Sequence, residues 1–306
     1  MKEILMKSNF IMYLIKLKNR NKKILNQNGR ITQKNRVNLH WWSMRREDGK
    51  ENLGDYLSYE IVQSMLNKKG LSLDTPINRT KHLYAIGSII QGGAQNTTIW
   101  GSGLKSGNKD FNWLARITRK LDVRLVRGPK TREVLLANGY DCPEKYGDPA
   151  LILPLFYQPK NVQKNKDYLV VLHHDTTLNV KEYLSPICQG YKEFIDELCS
   201  AKLVVSSSLH GIILAETYGI PAILLMDKAT NNMFKYDDYY YSTGRYEYPI
   251  AETVEEALGI KPASLPDFTE LRNNILETFP YDLWENRDDL IDLYNEITNN
   301  KDDFER

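Results

Sequence analysis

Cysteine is scarce in this chain, and the few present follow no pattern. Cys142, Cys188 and Cys199 are the only three, scattered and without a Cys-x-x-Cys pair. That excludes a disulfide framework and a thiolate zinc site, and it fits a reducing cytoplasm. No apolar run approaches the length of a membrane span, and the one at 10–15 is too short for a secretory core. Trp100-Gly101-Ser102-Gly103 is not a Gly-x-Gly-x-x-Gly cradle, which leaves a dinucleotide little to bind. There is no internal repeat of solenoid period. Basic charge is abundant only at the start. Residues 1–36 hold ten Lys/Arg against one acid, so the remainder, with 31 basic and 38 acidic residues, carries a net −7. A mildly acidic body argues against nucleic acid as a partner.

What is present describes a globular protein. The 306 residues, 42% hydrophobic and 26% charged, suffice for two domains of ordinary size. Residues 1–30 interleave Ile, Leu, Met and Phe with the basic cluster, a composition suited to an anionic membrane surface or to a leader packed on the body. The globular part begins near Val37.

The most informative stretch is 202–226, which reads as strand, turn, helix, turn, strand. Leu203–Val205 is a short apolar run of the kind buried on both faces of a parallel sheet. Ser206 to Gly211 then bring three hydroxyls, a histidine and a glycine. Ile212 to Tyr218 form a buried helix, closed by Gly219 and Pro221 before a second strand from Ala222 to Met226. Ligands of such units bind beyond the carboxyl ends of the strands, where helix N-termini point outward. His210 stands where an anion would dock; the alternative is a serine-capped helix with a hydrogen-bonded core histidine.

The rest of the chain repeats this alternation. Strands are expected at 37–42, 83–90, 98–104 and 123–127, with helices at 56–66, where Asp55 is a candidate N-cap, and at 130–137. Pro154, Pro159 and the polar 160–167 read as a linker. A second series opens at 168–172, ends at His173-His174-Asp175 and continues with a helix at 191–199. Adjacent histidines on a strand point opposite ways, so only one is expected to face the cleft. Residues 228–245, rich in tyrosine, aspartate and asparagine, read as a polar aromatic loop, and two helices follow at 267–278 and 282–299. The expected divisions are a basic segment 1–36, α/β halves at 37–158 and 159–250, and C-terminal helices 251–306. The fold class is α/β, with two parallel layers and a ligand in the cleft between them.

Several segments, in order, resemble the polysaccharide pyruvyltransferases of bacterial surfaces. They are Asn52-Leu53-Gly54-Asp55, Trp100-Gly101-Ser102-Gly103, Val126-Arg127-Gly128-Pro129-x-Thr131-Arg132-Glu133, Gly147-Asp148-Pro149-Ala150, Ser208-Leu209-His210-Gly211 and Lys235-Tyr236-Asp237-Asp238. The resemblance implies two Rossmann-like domains facing a cleft, as in B-type glycosyltransferases. It also implies transfer of pyruvate from phosphoenolpyruvate to a sugar as a cyclic ketal, with no cofactor and no obligatory metal. Many members carry Arg-Leu-His-Gly, where this chain has Ser208; a succinoglycan-type subset shares the departure. His210 is the expected acid–base residue. Arg127, Ser207, Ser208, Gly211 and His173 are the expected donor-binding residues, and Asn52, Asp55 and Tyr236 face the acceptor. For Arg127 the alternative is an internal salt bridge, for Asp55 a helix cap, and for Tyr236 loop packing. The partners implied are phosphoenolpyruvate and a lipid-linked or nucleotide-linked glycan, in the cytoplasm or at the inner face of the cell membrane. Two rivals are a nucleotide-sugar glycosyltransferase, disfavoured because Glu216 is the sole acid of its helix, and a non-catalytic sugar-binding relative.

Overall fold

A computed structural model of the protein describes residues 32–42, 48–92, 96–107, 119–160, 162–188, 190–227 and 232–285. The basic segment 1–30 and nearly all of the last expected helix lie outside these. The first half runs β1 (Val37–His40), β2 (Glu51–Asn52), α1 (Leu53–Asn67), β3 (Lys81–Tyr84), β4 (Thr97–Trp100), β5 (Leu121–Leu125) and α2 (Pro129–Ala137), ending in a 3₁₀ segment, Pro149–Leu155. The second runs β6 (Leu169–Val171), β7 (Ile187–Cys188), α3 (Tyr191–Cys199), β8 (Val204–Ser206), α4 (Leu209–Thr217), β9 (Ala222–Leu225), α5 (Phe234–Ser242), β10 (Ile250–Ala251), α6 (Val254–Gly259) and α7 (Thr269–Glu277).

The strands form two four-stranded parallel sheets, ordered β1-β3-β4-β5 and β10-β9-β8-β6, so the mixed α/β class with parallel layers holds. Strands β4, β8 and β9 are buried at every position, which explains why their sequences do not alternate polar with apolar. Helix α1 buries Leu57, Ile61, Val62, Met65 and Leu66 on one stripe. Helix α4 is buried nearly all round, and both α1 and α4 pack on the 3₁₀ segment. Pro154, expected in a linker, belongs to that segment, where Ala150–Leu153 are buried. A two-stranded antiparallel ladder, β2 with β7, joins the halves again beside the start of α1.

The largest difference from expectation is at 228–245, where Phe234–Ser242 is the helix α5 rather than a loop. Tertiary pairing overrides weak propensity here. Asp238, fully buried, accepts from Arg127 Nε (2.9 Å), from the Thr131 N–H (2.8 Å) and from the Thr131 hydroxyl (2.7 Å). It thus caps the N-terminus of α2 from another helix, where a negative charge opposes the helix dipole favourably. Gly128 is required for this approach: a Cβ there would lie 1.7 Å from the Asp238 carbonyl oxygen. At the next residue of α5, Tyr239 donates to Glu216 of α4, whose carboxylate is also gripped by both terminal nitrogens of Arg245 (2.6 and 2.7 Å). Helix α5 therefore holds the two halves together.

Replacing Asp238 with Ala strands a buried guanidinium, and the expected cost is about 3–5 kcal/mol. Chemical denaturation measures it. A loss of under about 1 kcal/mol would show that water takes the place of the carboxylate.

Candidate functional site

The candidate side chains lie where the parallel strands of both sheets end. After β8, Ser208 is the N-cap of α4, its hydroxyl accepting from the Gly211 N–H (3.4 Å), and His210 sits in the first turn. The helix starts three residues earlier than its apolar pattern suggests, because the serine cap rather than the first isoleucine sets the boundary. His210 Nε2 faces Asp148 Oδ2 at 3.6 Å, both buried and with no hydrogen-bond partner, while Asp148 Oδ1 accepts from the Ala150 N–H (3.0 Å). The other ring nitrogen lies against Gly54 at the start of α1, where a Cβ would come within 2.1 Å of Nδ1. Gly54 is therefore the space in which the imidazole sits.

Beside it is Asp55. It does not cap α1, since Asn52 holds the N-cap position. Its carboxylate lies against Gly87 after β3. Burial pushes the Asp55 carboxyl up to about 7, with Asp148 and Glu51 adding to the rise and His210 and Lys235 opposing it.

His173 and His174 follow β6, and the structure corrects the expectation that they diverge. The strand ends at Val171, so strand alternation no longer applies, and the rings lie 4.3 Å apart on one side. The His173 N–H donates to Ser207 Oγ (2.9 Å), and His174 Nδ1 pairs with Asn52 Nδ2 (3.2 Å). Burial, then Lys235, holds His173 down at about 3; burial also lowers His174, with Lys235 and Lys105 adding to the effect and Asp175 opposing it. His173, His174 and Asp175 place possible ligand atoms within 4.8 Å of one another.

Two expected ligand-binding residues have internal roles. Arg127 is 1% exposed, and its nitrogens are engaged by Asp238, Ser88 Oγ (2.8 Å) and the Leu104 carbonyl (2.8 Å). This is the salt-bridge alternative, not an open fork for a ligand. Tyr236 is buried in α5 and donates its hydroxyl to the Ser207 carbonyl (2.7 Å), so its ring offers no sugar-stacking face. The structure does bring together His210, Asn52, Asp55, His173, Ser207, Ser208 and Gly211. Sequence reasoning gave no role to Asp148, Lys235 or Asp238, although all three stand in motifs it singled out. A buried carboxylate in Gly-Asp-Pro, legible as a cap, was the available signal for Asp148.

Two parallel sheets whose carboxyl ends carry a buried His–Asp pair and a carboxyl poised near neutrality, with Lys235 and Lys105 close by, define an α/β protein with a polar site. Residues 52–227, more than half of the chain, match the family model described as polysaccharide pyruvyl transferase. The chain belongs to that family and is thereby a transferase. It is also similar to an uncharacterized protein of Acanthamoeba polyphaga mimivirus, 27% identical over 205 residues, 61% of this chain and 69% of the viral one. No helix among the described residues is long and apolar enough to cross a membrane.

Because the native Asp55 carboxyl titrates near 7 and the unfolded one near 3.8, the folded state pays to ionise it. Asp55 therefore subtracts stability progressively from about pH 4 to 7, and the loss is complete above. Asp55→Asn is expected to match the wild type near pH 4 and to melt at higher temperature at pH 8. A melting difference independent of pH contradicts the assignment.

Proposed function

We propose that the protein transfers pyruvate from phosphoenolpyruvate to two hydroxyls of one sugar, forming a cyclic ketal and releasing phosphate. In this reading the two sheets act as the facing halves of a B-type glycosyltransferase-like cleft. The single observation that carries the proposal is the buried His210–Asp148 pair beside Asp55, within the region that matches the family.

The reaction needs proton traffic. The methylene of the donor takes a proton, C2 becomes electrophilic, two sugar oxygens bond to it, and the C2–O bond to phosphate breaks. Of the two hydroxyl protons lost, one balances the new methyl group and the other leaves with phosphate. Asp148, whose carboxylate lies 3.6 Å from Nε2, orients the His210 ring for proton exchange with the substrates. Asp55, half ionised near pH 7, suits the partner proton transfer at the acceptor hydroxyl. Asn52, engaged with His174, lies at the same edge and lines the acceptor side. A nucleotide-sugar glycosyltransferase is less well supported: Glu216, the one acid of its helix, is already held by Arg245 and Tyr239.

His210→Gln is expected to lower transfer about a hundredfold or more while the protein stays folded. Asp148→Asn keeps the shape and the Ala150 contact but removes the charge, and should lower kcat with little change in either KM. Phosphate release from phosphoenolpyruvate, with mass spectrometry of the acceptor glycan, measures both. A folded His210→Gln variant with near-normal turnover would remove the histidine from the mechanism.

We also read the basic, apolar first 30 residues as a peripheral attachment to the inner face of the cell membrane, close to a lipid-linked acceptor. Flotation with anionic vesicles at low and high salt should separate the full chain from one lacking residues 1–30. Equal partition of the two ends this reading.

A further inference from the structure

Accepting the donor above, its three negative charges require a positive counterpart. The chain supplies none at two obvious places. Position 208 is a serine whose hydroxyl serves the helix cap, and the Arg127 guanidinium is fully engaged within the protein. The first turn of α5 supplies another. Lys235 stands beside the Asp238 that anchors the helix, and it is enclosed by protein yet partly open. Its ammonium lies over the Tyr236 ring, 4.8 Å from the centroid, and its charged and titratable neighbours besides that tyrosine are Arg127, Lys105, Asp55, Asp175, His173 and His174. The acids that follow it on α5 are taken: Asp237 pairs with Lys130 (2.8 Å) and Asp238 with Arg127. Among the described residues neither Lys235 nor Lys105 has a carboxylate at ion-pair distance.

A lysine in the first turn of a helix also faces the positive end of the dipole. An enclosed ammonium so placed, between an arginine and a second lysine, is held against its own electrostatic preference. We infer that Lys235, with Lys105 at the rim, holds the anionic donor through its phosphate or carboxylate. The ammonium has been lowered to about 8 by burial, then by Arg127 and Lys105, with Asp55 and Asp175 opposing. A bound anion reverses that depression, because an opposite charge favours the protonated form. Donor binding above pH 8 therefore takes up a proton at Lys235.

The test is calorimetric titration of the full chain with phosphoenolpyruvate, and separately with inorganic phosphate and with pyruvate, at pH 7.2 and 8.5. Each is run in two buffers of different ionisation enthalpy. Lys235 should take up most of a proton at pH 8.5 and much less at 7.2, where Asp55 adds uptake of its own; Asp55 and the two histidines, which titrate lower, contribute little at 8.5, so pH 8.5 is the decisive arm. Lys235→Met should lose that uptake and bind phosphoenolpyruvate about tenfold or more weakly. Its unliganded melting temperature should equal or exceed that of wild type, since a repelled charge is gone. Lys235→Arg should retain affinity better than Met but show no uptake, because guanidinium stays protonated. Weakened inorganic phosphate binding in Lys235→Met identifies the phosphate as the group held, and weakened pyruvate binding the carboxylate. A folded Lys235→Met variant with wild-type donor affinity overturns the inference while leaving the transferase reading intact. Lys235-dependent anion binding without pyruvate transfer to any sugar does the opposite. No anion binding by folded wild type overturns the inference as well.

Discussion

Asp238 has no access to water, and three donors satisfy it from within the protein: a guanidinium, a backbone N–H and a hydroxyl converge on it. A buried carboxylate is tolerable only when so fully matched. Because its donors come from the end of β5 and the start of α2, the match fixes where α5 runs. That path in turn sets Lys235 over the ends of the strands, Tyr236 under the Ser207 carbonyl and Tyr239 on the Glu216–Arg245 pair. The Lys130–Asp237 contact, with Tyr248 donating to the same carboxylate, extends the clasp towards the surface. One buried ion pair thus ties the position of the site's cation to the packing of both sheets.

The site itself is built on the contrary principle. Asp238 is neutralised; Asp55, His173 and Lys235 are not, and each is displaced from its ordinary protonation behaviour by burial first and by its neighbours second. Burial first, and then the lysines nearby, keep His173 and His174 neutral, and the Asp55 carboxyl is left half ionised near neutrality. Such an arrangement costs stability in the protein. The His210–Asp148 pair stands between the two principles: the carboxylate is buried and faces the ring at 3.6 Å, yet neither facing atom has a hydrogen-bond partner and the histidine side chain is 15% exposed.

The parallel α/β class, most strands and helices, and the importance of the Ser206–Gly211 turn were legible in the sequence, because unbroken apolar runs and caps are local signals. So were the glycines: the Gly54 that accommodates His210 and the Gly128 that admits Asp238 both stood in recognised segments. What local reading gave wrongly was direction and pairing. Alternation placed His173 and His174 on opposite sides, but the strand stops two residues before them. Composition placed 228–245 in a loop, but three distant donors to Asp238 make its centre a helix.

Sequence alone therefore determined which residue types exist to do chemistry and on which local elements they sit, since turns, caps and periodicity depend on neighbours along the chain. Only the tertiary structure decided which cation is consumed by the fold and which is left over. Arg127 and Lys235 carry equal charge; what separates them is a single carboxylate 111 residues from the arginine, and ion pairing falls off over distances that only folding can bring within reach.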